Sequence, residues 1–180
     1  MPIPRTIVEV AEFIPIITFG YLGSSTALDI HSRLVISGSL ALIVLVAFHL
    51  MKWPINSLAL STNFFLLIEG MAFITKIAYI APVAAVLLFF RESAVFVVTF
   101  FVGIVRTVTS PKGLLDLEGG EPSAVRRGSL YMLLGTCVAF GISMVFRGQL
   151  ALSAALPFFG LVVLRRVFRD IASRTGATRE

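Results

Sequence analysis

Glu69 stands inside an apolar run, Asn63-Phe64-Phe65-Leu66-Leu67-Ile68-Glu69-Gly70-Met71-Ala72-Phe73-Ile74. A carboxylate in hydrocarbon costs several kcal/mol, roughly 2.5 or more on insertion scales. Such a group faces a partner or a watered path, or it is protonated. Two chemistries fit. Glu69 binds a cation or cycles a proton inside a helix bundle, or it makes one structural hydrogen bond between helices. Thr62, Glu69 and Lys76 are spaced seven and seven, which places them on nearly one face of a helix. Lys76 lies about 10 Å of rise from Glu69, so it pairs with a neighbour, snorkels to the interface or lines the end of a path. Asn63 lies about 100° round the helix from Thr62 and is placed to bond another helix.

The other charged residues in apolar surroundings are fewer. Arg91-Glu92 interrupts a run from Ile77 to Thr109 that is far too long for one ordinary crossing. Either the pair sits at a surface turn between segments 77–90 and 93–109, or one long tilted helix starting near Pro82 buries it. Adjacent helical residues point about 100° apart, so a buried pair needs partners elsewhere. Glu9 and Glu12 are three apart and share a face. They line a polar mouth or stand solvated at an interface.

Metal and catalytic templates fail. His31 and His49 would lie near opposite faces of any membrane crossed by the segment between them, so a shared metal or haem is excluded. Cys137 is the one cysteine, which rules out an intrachain disulfide and a thiolate cluster; it reads as a small packing residue. There is no Gly-x-Ser-x-Gly, no His-Glu-x-x-His and no Walker sequence. Asp116 and Glu118 make only a lone D-x-E. No cofactor is implied, and the chain is not expected to be an enzyme.

The elements that must hold these residues follow from composition. Of 180 residues, 57% are hydrophobic and 14% charged, and the mean hydropathy is +0.96. Soluble domains carry about 25% charged residues, and a chain this small cannot hide so much apolar surface. Lipid is the solvent that suits it, and long uninterrupted apolar segments in lipid are helices. The expected fold is all-α, a polytopic transmembrane bundle of six or seven spans forming a single membrane domain over residues 1–180. Residues 1–23 form a short or half-inserted first segment. The segment resembles a signal peptide, but Glu9 and Glu12 do not suit a basic n-region, so it is expected to be retained. Leu34 to Met51 is a full span, closed by Lys52-Trp53-Pro54; Asn56 to Ile74 is the next. Leu130 to Phe146 and Leu150 to Leu164, interrupted by Pro157, complete the set.

The net charge of +5 sits between and after apolar runs, where it sets topology. No basic-aromatic patch or zinc spacing points to nucleic acid. The 110–127 loop and the basic tail, 168–180, are expected on the cytoplasmic side, with an even number of spans between them. Six full spans put the N-terminus inside, and seven put it outside. Ser37, Gly38, Ser39 and similar small clusters permit close helix contact.

Phe13-Ile14-Pro15-Ile16-Ile17, Phe89-Phe90-Arg91-Glu92 and Ser110-Pro111-Lys112-Gly113-Leu114-Leu115 with Gly119-Gly120-Glu121 resemble, in order and type, the bacterial intracellular septation protein A family. The resemblance spans most of residues 10–167. The chain departs from it in an extra hydrophobic segment around 56–90 and a less basic loop. The resemblance implies a small polytopic protein of the bacterial inner membrane, non-catalytic, linked to envelope integrity and division, acting through partner membrane proteins. The residues themselves favour a small channel or transporter for an ion, proton or small solute, with Glu69, Thr62, Lys76 and Asn63 along the path. The expected partners are the lipid bilayer, a small ion or solute, and further copies or partner membrane proteins.

Overall fold

The computed structural model describes residue 8 and residues 10–25, 28–75, 81–90, 93–118, 121–149 and 151–177. Those residues form helices and turns, with no strand among them: α1 (Ile14–Ser25), α2 (Ile30–Leu50), α3 (Ser57–Thr75), α4 (Ala81–Phe90), α5 (Ala94–Thr109), α6 (Pro122–Val145) and α7 (Leu156–Ala177), the last preceded by a π-helical turn at Ala151–Ala155. The all-helical expectation holds. Two helices, α2 and α6, are long and apolar enough to cross a membrane. Only 28% and 39% of their apolar windows are buried within the chain, unlike the core helix of a soluble domain. The chain divides into two compact units, Met1–Phe89 and Phe90–Glu180.

In the first unit, α2 starts four residues before the expected Leu34. Asp29 takes the N-cap position with an extended backbone, and Ser32 Oγ donates to its Oδ1 at 2.6 Å. That bond holds the Asp29 carboxyl below its ordinary value. His31 and Arg33, expected in a connector, therefore lie in the first turn. The helix ends where Lys52 adopts a left-handed φ of 55°. Lys52 N–H donates to His49 O at 3.2 Å and Trp53 N–H to Phe48 O at 2.9 Å. This is the paired-bond stop of a Schellman motif, and its usual apolar contact is present: the Phe48 and Trp53 rings meet edge-on at 5.4 Å. The stop turns the chain back, so α3 runs antiparallel to α2. Asn56 caps α3, its Oδ1 accepting from Leu58 N–H at 2.9 Å.

The long run expected over 77–109 holds two helices, α4, which closes the first unit, and α5, which starts at Ala94 in the second. Ser93 precedes α5 and shares a buried 2.7 Å hydrogen bond with Ser143 of α6. The 110–118 stretch, expected as a polar loop, is a packed turn. Leu114 and Leu115 are fully buried, and Leu114 N–H donates to Ser129 Oγ at 3.0 Å. Gly113, at φ +55°, lies against Ser129 and Val125, where a side chain would collide. α6 begins at Pro122, eight residues before the expected Leu130; proline suits the first helical turn because its missing N–H has no partner there. α7 runs through Arg165, Arg166, Arg169 and Arg174 to Ala177, well past the expected end at Leu164. Long straight-chain residues carry a helix onward after its apolar stretch ends. Pro157 lies directly after the π-helical turn, at the point where the helix passes to α geometry. Cys137 is exposed on α6, so it is not interior packing.

Candidate functional site

The α2–α3 pair is built on two glycines. A Cβ added to Gly38 would lie 2.6 Å from Leu66 O and 3.0 Å from Gly70 Cα; one added to Gly70 would lie 2.7 Å from Leu34 O and 3.1 Å from Gly38 Cα. The backbones touch there, which only glycine permits. Leu34, Ala41 and Leu66 form the buried apolar seam around the crossing.

That crossing fixes where the polar residues go. Ser37 and Glu69 each precede a crossing glycine by one position. In an antiparallel pair, the 100° step back from each glycine carries both side chains to the same flank. Glu69 is 1% exposed and Ser37 is fully buried. Neither Glu69 oxygen, nor Ser37 Oγ, has a hydrogen-bond partner among the described residues. A buried carboxyl left without donors is rare in folded proteins, and each such group calls for an explanation.

Thr62 shares that flank but not that state. It is buried, and its hydroxyl is taken up by its own helix, at 3.1 Å from Leu58 O and 3.0 Å from Ala59 O. Back-bonding within one turn leaves its donor committed and its lone pairs as what it can offer a neighbour.

Asn63 and Glu12 make a second polar group. Glu12 is 2% exposed, so it is neither a solvated interfacial carboxylate nor a lining of a water-filled mouth. Its Oε2 accepts from Asn56 N–H at 2.8 Å, at the N-terminus of α3, where a negative charge is favoured by the helix dipole. Its carbonyl accepts from Asn63 Nδ2 at 3.0 Å. Asn63 does bond another segment, as expected, and anchors the chain ahead of α1; its Oδ1 has no partner among the described residues. Glu9, Lys76, Arg91 and Glu92 lie outside the described residues.

No cluster of three or more potential metal ligands occurs among the described residues. His31 and His49 are both exposed and stand about 27 Å apart along α2. Asp116, half of the D-x-E, is held between two arginines of the second unit: Arg165 Nη2 at 2.9 Å and Arg106 Nη1 at 3.8 Å. It is a structural counter-ion. Lys112 pairs with Glu118.

Ser37, expected only as a small packing residue, is a buried hydroxyl without a hydrogen-bond partner among the described residues. No family model matches the chain, and no curated protein or solved structure matches it either.

Proposed function

We propose that the chain is a polytopic membrane protein, a small channel or transporter for a proton or small cation, with Glu69 as the binding group in the path. The observation that carries this is the buried Glu69 carboxyl with both oxygens unpartnered among the described residues. A purely structural carboxyl would be bonded, as Glu12 is. The membrane setting is supported by an inverted distribution of polarity. Leu42, Ile43, Val46 and Leu50 of α2 and Leu134 and Val138 of α6 are exposed, while Ser37, Asn63, Glu69, Ser129, Thr136 and Ser143 are buried. Exposed apolar faces of that extent suit lipid. Under this proposal the shorter apolar helices also cross the membrane, giving six or seven segments. The basic residues from Arg106 to Arg127 and along α7 put those ends in the cytoplasm, in a bacterial inner membrane.

The test is flux in proteoliposomes containing the full chain. Wild type is expected to dissipate an imposed pH or cation gradient, and Glu69→Gln, which keeps shape but cannot hold the charge, to lose at least about tenfold of that rate. Equal flux in wild type and variant, or none above empty vesicles, removes the transport proposal. It would leave the alternative that the septation-family resemblance implies, a non-catalytic envelope protein acting through partner membrane proteins.

A further inference from the structure

Charge is unevenly placed on the second unit. α6 carries Arg126 and Arg127 and no acid. α7 carries Arg165, Arg166, Arg169 and Arg174 against one acid, Asp170. Arg165 and Arg106 are taken by Asp116. Arg127 is exposed and makes no ion pair with a described residue. The two helices pack antiparallel: an added Cβ at Gly128 would lie 3.7 Å from Phe168 Cβ, and one at Gly135 would lie 2.5 Å from Leu164 Cδ2 and 3.6 Å from Leu161 Cδ2. The start of α6 and the end of α7 therefore share one end of the pair, and the arginines of both helices collect there.

On each helix an exposed stripe leads away from that end. Arg127, Tyr131, Leu134 and Val138 stand four, three and four positions apart on α6 and are all exposed, which places them on one face. Val163, Val167, Ile171 and Arg174 stand four, four and three apart on α7 and are likewise exposed. Both stripes are apolar away from the charged end and close on an arginine at it. The Tyr131 ring stacks on Phe168 with centroids 5.5 Å apart. Phe168 neighbours Ile171, three positions on, so the stack adjoins both stripes. From Arg127 to Val138 the α6 stripe rises about 16 Å, close to half of a hydrocarbon core of roughly 30 Å. A tyrosine one turn below an arginine matches the order in which a bilayer interface meets such groups.

We propose that the exposed face of the α6–α7 pair binds one anionic phospholipid of the cytoplasmic leaflet, its phosphate on Arg127 and an acyl chain along Leu134, Val138 and Val163. A guanidinium meets phosphate with two parallel hydrogen bonds, and Arg127 has no carboxylate to compete for it among the described residues. The apolar stripes select the source of that phosphate. A free anion covers none of them, whereas a lipid covers them with its chain. A zwitterionic lipid offers the same chain but brings its own cation to an end that is already basic, so the net negative headgroup is favoured. The site rests on the membrane setting proposed above and is independent of the transport role of Glu69.

The experiment uses the full chain in neutral detergent and native mass spectrometry, with phosphatidylglycerol and phosphatidylcholine of identical acyl chains as probes. Wild type should retain one phosphatidylglycerol at least about fivefold more than phosphatidylcholine. Arg127→Gln should lose about fivefold of the phosphatidylglycerol occupancy, with its phosphatidylcholine occupancy and its melting in lipid-free detergent unchanged. Arg127→Lys, which keeps the charge, should keep most of the occupancy. Arg126→Gln removes the same charge about 100° round the helix and should stay within about twofold of wild type. Equal losses in Arg126→Gln and Arg127→Gln would overturn the site and leave only diffuse attraction by the basic end. Equal retention of the two lipids by wild type would overturn the anionic headgroup as the selected feature. Competition by glycerol phosphate, which has the charge and no chain, would overturn a lipid as the occupant. Glu69→Gln should bind phosphatidylglycerol as wild type does, so loss of flux in that variant leaves the lipid site standing. A chain that is soluble without detergent and retains neither lipid would remove the membrane setting together with the site.

Discussion

Gly38→Ala will destabilise the protein by about 2–3 kcal/mol, although alanine is the better helix former by about 1 kcal/mol. The reason is the atom that the new methyl meets. It would sit 2.6 Å from Leu66 O, which is backbone and cannot rotate away. Relief requires α2 and α3 to part, which opens the seam formed by Leu34, Ala41 and Leu66. Gly70→Ala meets Leu34 O at 2.7 Å and should cost a similar amount. Gly20 and Gly141 have nothing within 4 Å of an added Cβ, so alanine there should be neutral or stabilising by up to about 1 kcal/mol. Thermal unfolding in detergent separates the two classes. If Gly38→Ala melts no lower than Gly141→Ala, the close crossing is wrong.

Asp116→Ala will cost about 2–4 kcal/mol, because it removes the carboxylate from a largely desolvated ion group. Asp116, Arg165 and Arg106 side chains are 15%, 14% and 25% exposed, so water screens them only in part. Without the carboxylate, two guanidinium groups face each other across the turn that seats Leu114 and Leu115. Asp116 also sits at a left-handed φ of 52°, a conformation that asparagine tolerates better than alanine. Asp116→Asn therefore separates the two effects. It preserves the backbone preference and loses the charge, and it should retain most of the loss. Adding Arg165→Met to Asp116→Ala should recover part of it. Faster proteolysis of the 110–121 segment should accompany the single variants. An Asp116→Asn protein with unchanged melting and proteolysis would mean that the ion group holds nothing.

The breaks between helices were legible because they are local. Lys52-Trp53-Pro54, Arg91-Glu92 and the Pro and Gly residues of 110–122 each interrupt an apolar run by themselves. What sequence could not supply was pairing. Glu12 and Glu69 are both acids near apolar residues, yet Glu12 is capped by Asn56, forty-four positions away, and Glu69 is not. Thr62 and Glu69 lie on one face seven residues apart, but a threonine can satisfy itself on the preceding turn and a glutamate pointing off the helix does not. Gly38 was visible as a small residue; that Gly70 lies opposite it depends on the register set by the Lys52 turn. The 110–118 stretch reads as polar by composition, and its two adjacent leucines gave no period from which burial could be inferred.

Glu69 is expected to exchange a proton from within the fold. Infrared difference spectra of the reconstituted full chain, recorded as pH is stepped from acid to alkaline, report the carbonyl stretch of protonated carboxyls directly. Wild type should lose such a band as pH rises, and Glu69→Gln should lack that band at every pH while its amide bands match the wild type. A wild-type spectrum with no Glu69-dependent carboxyl band at any pH, from protein whose amide bands show it folded, would contradict the account.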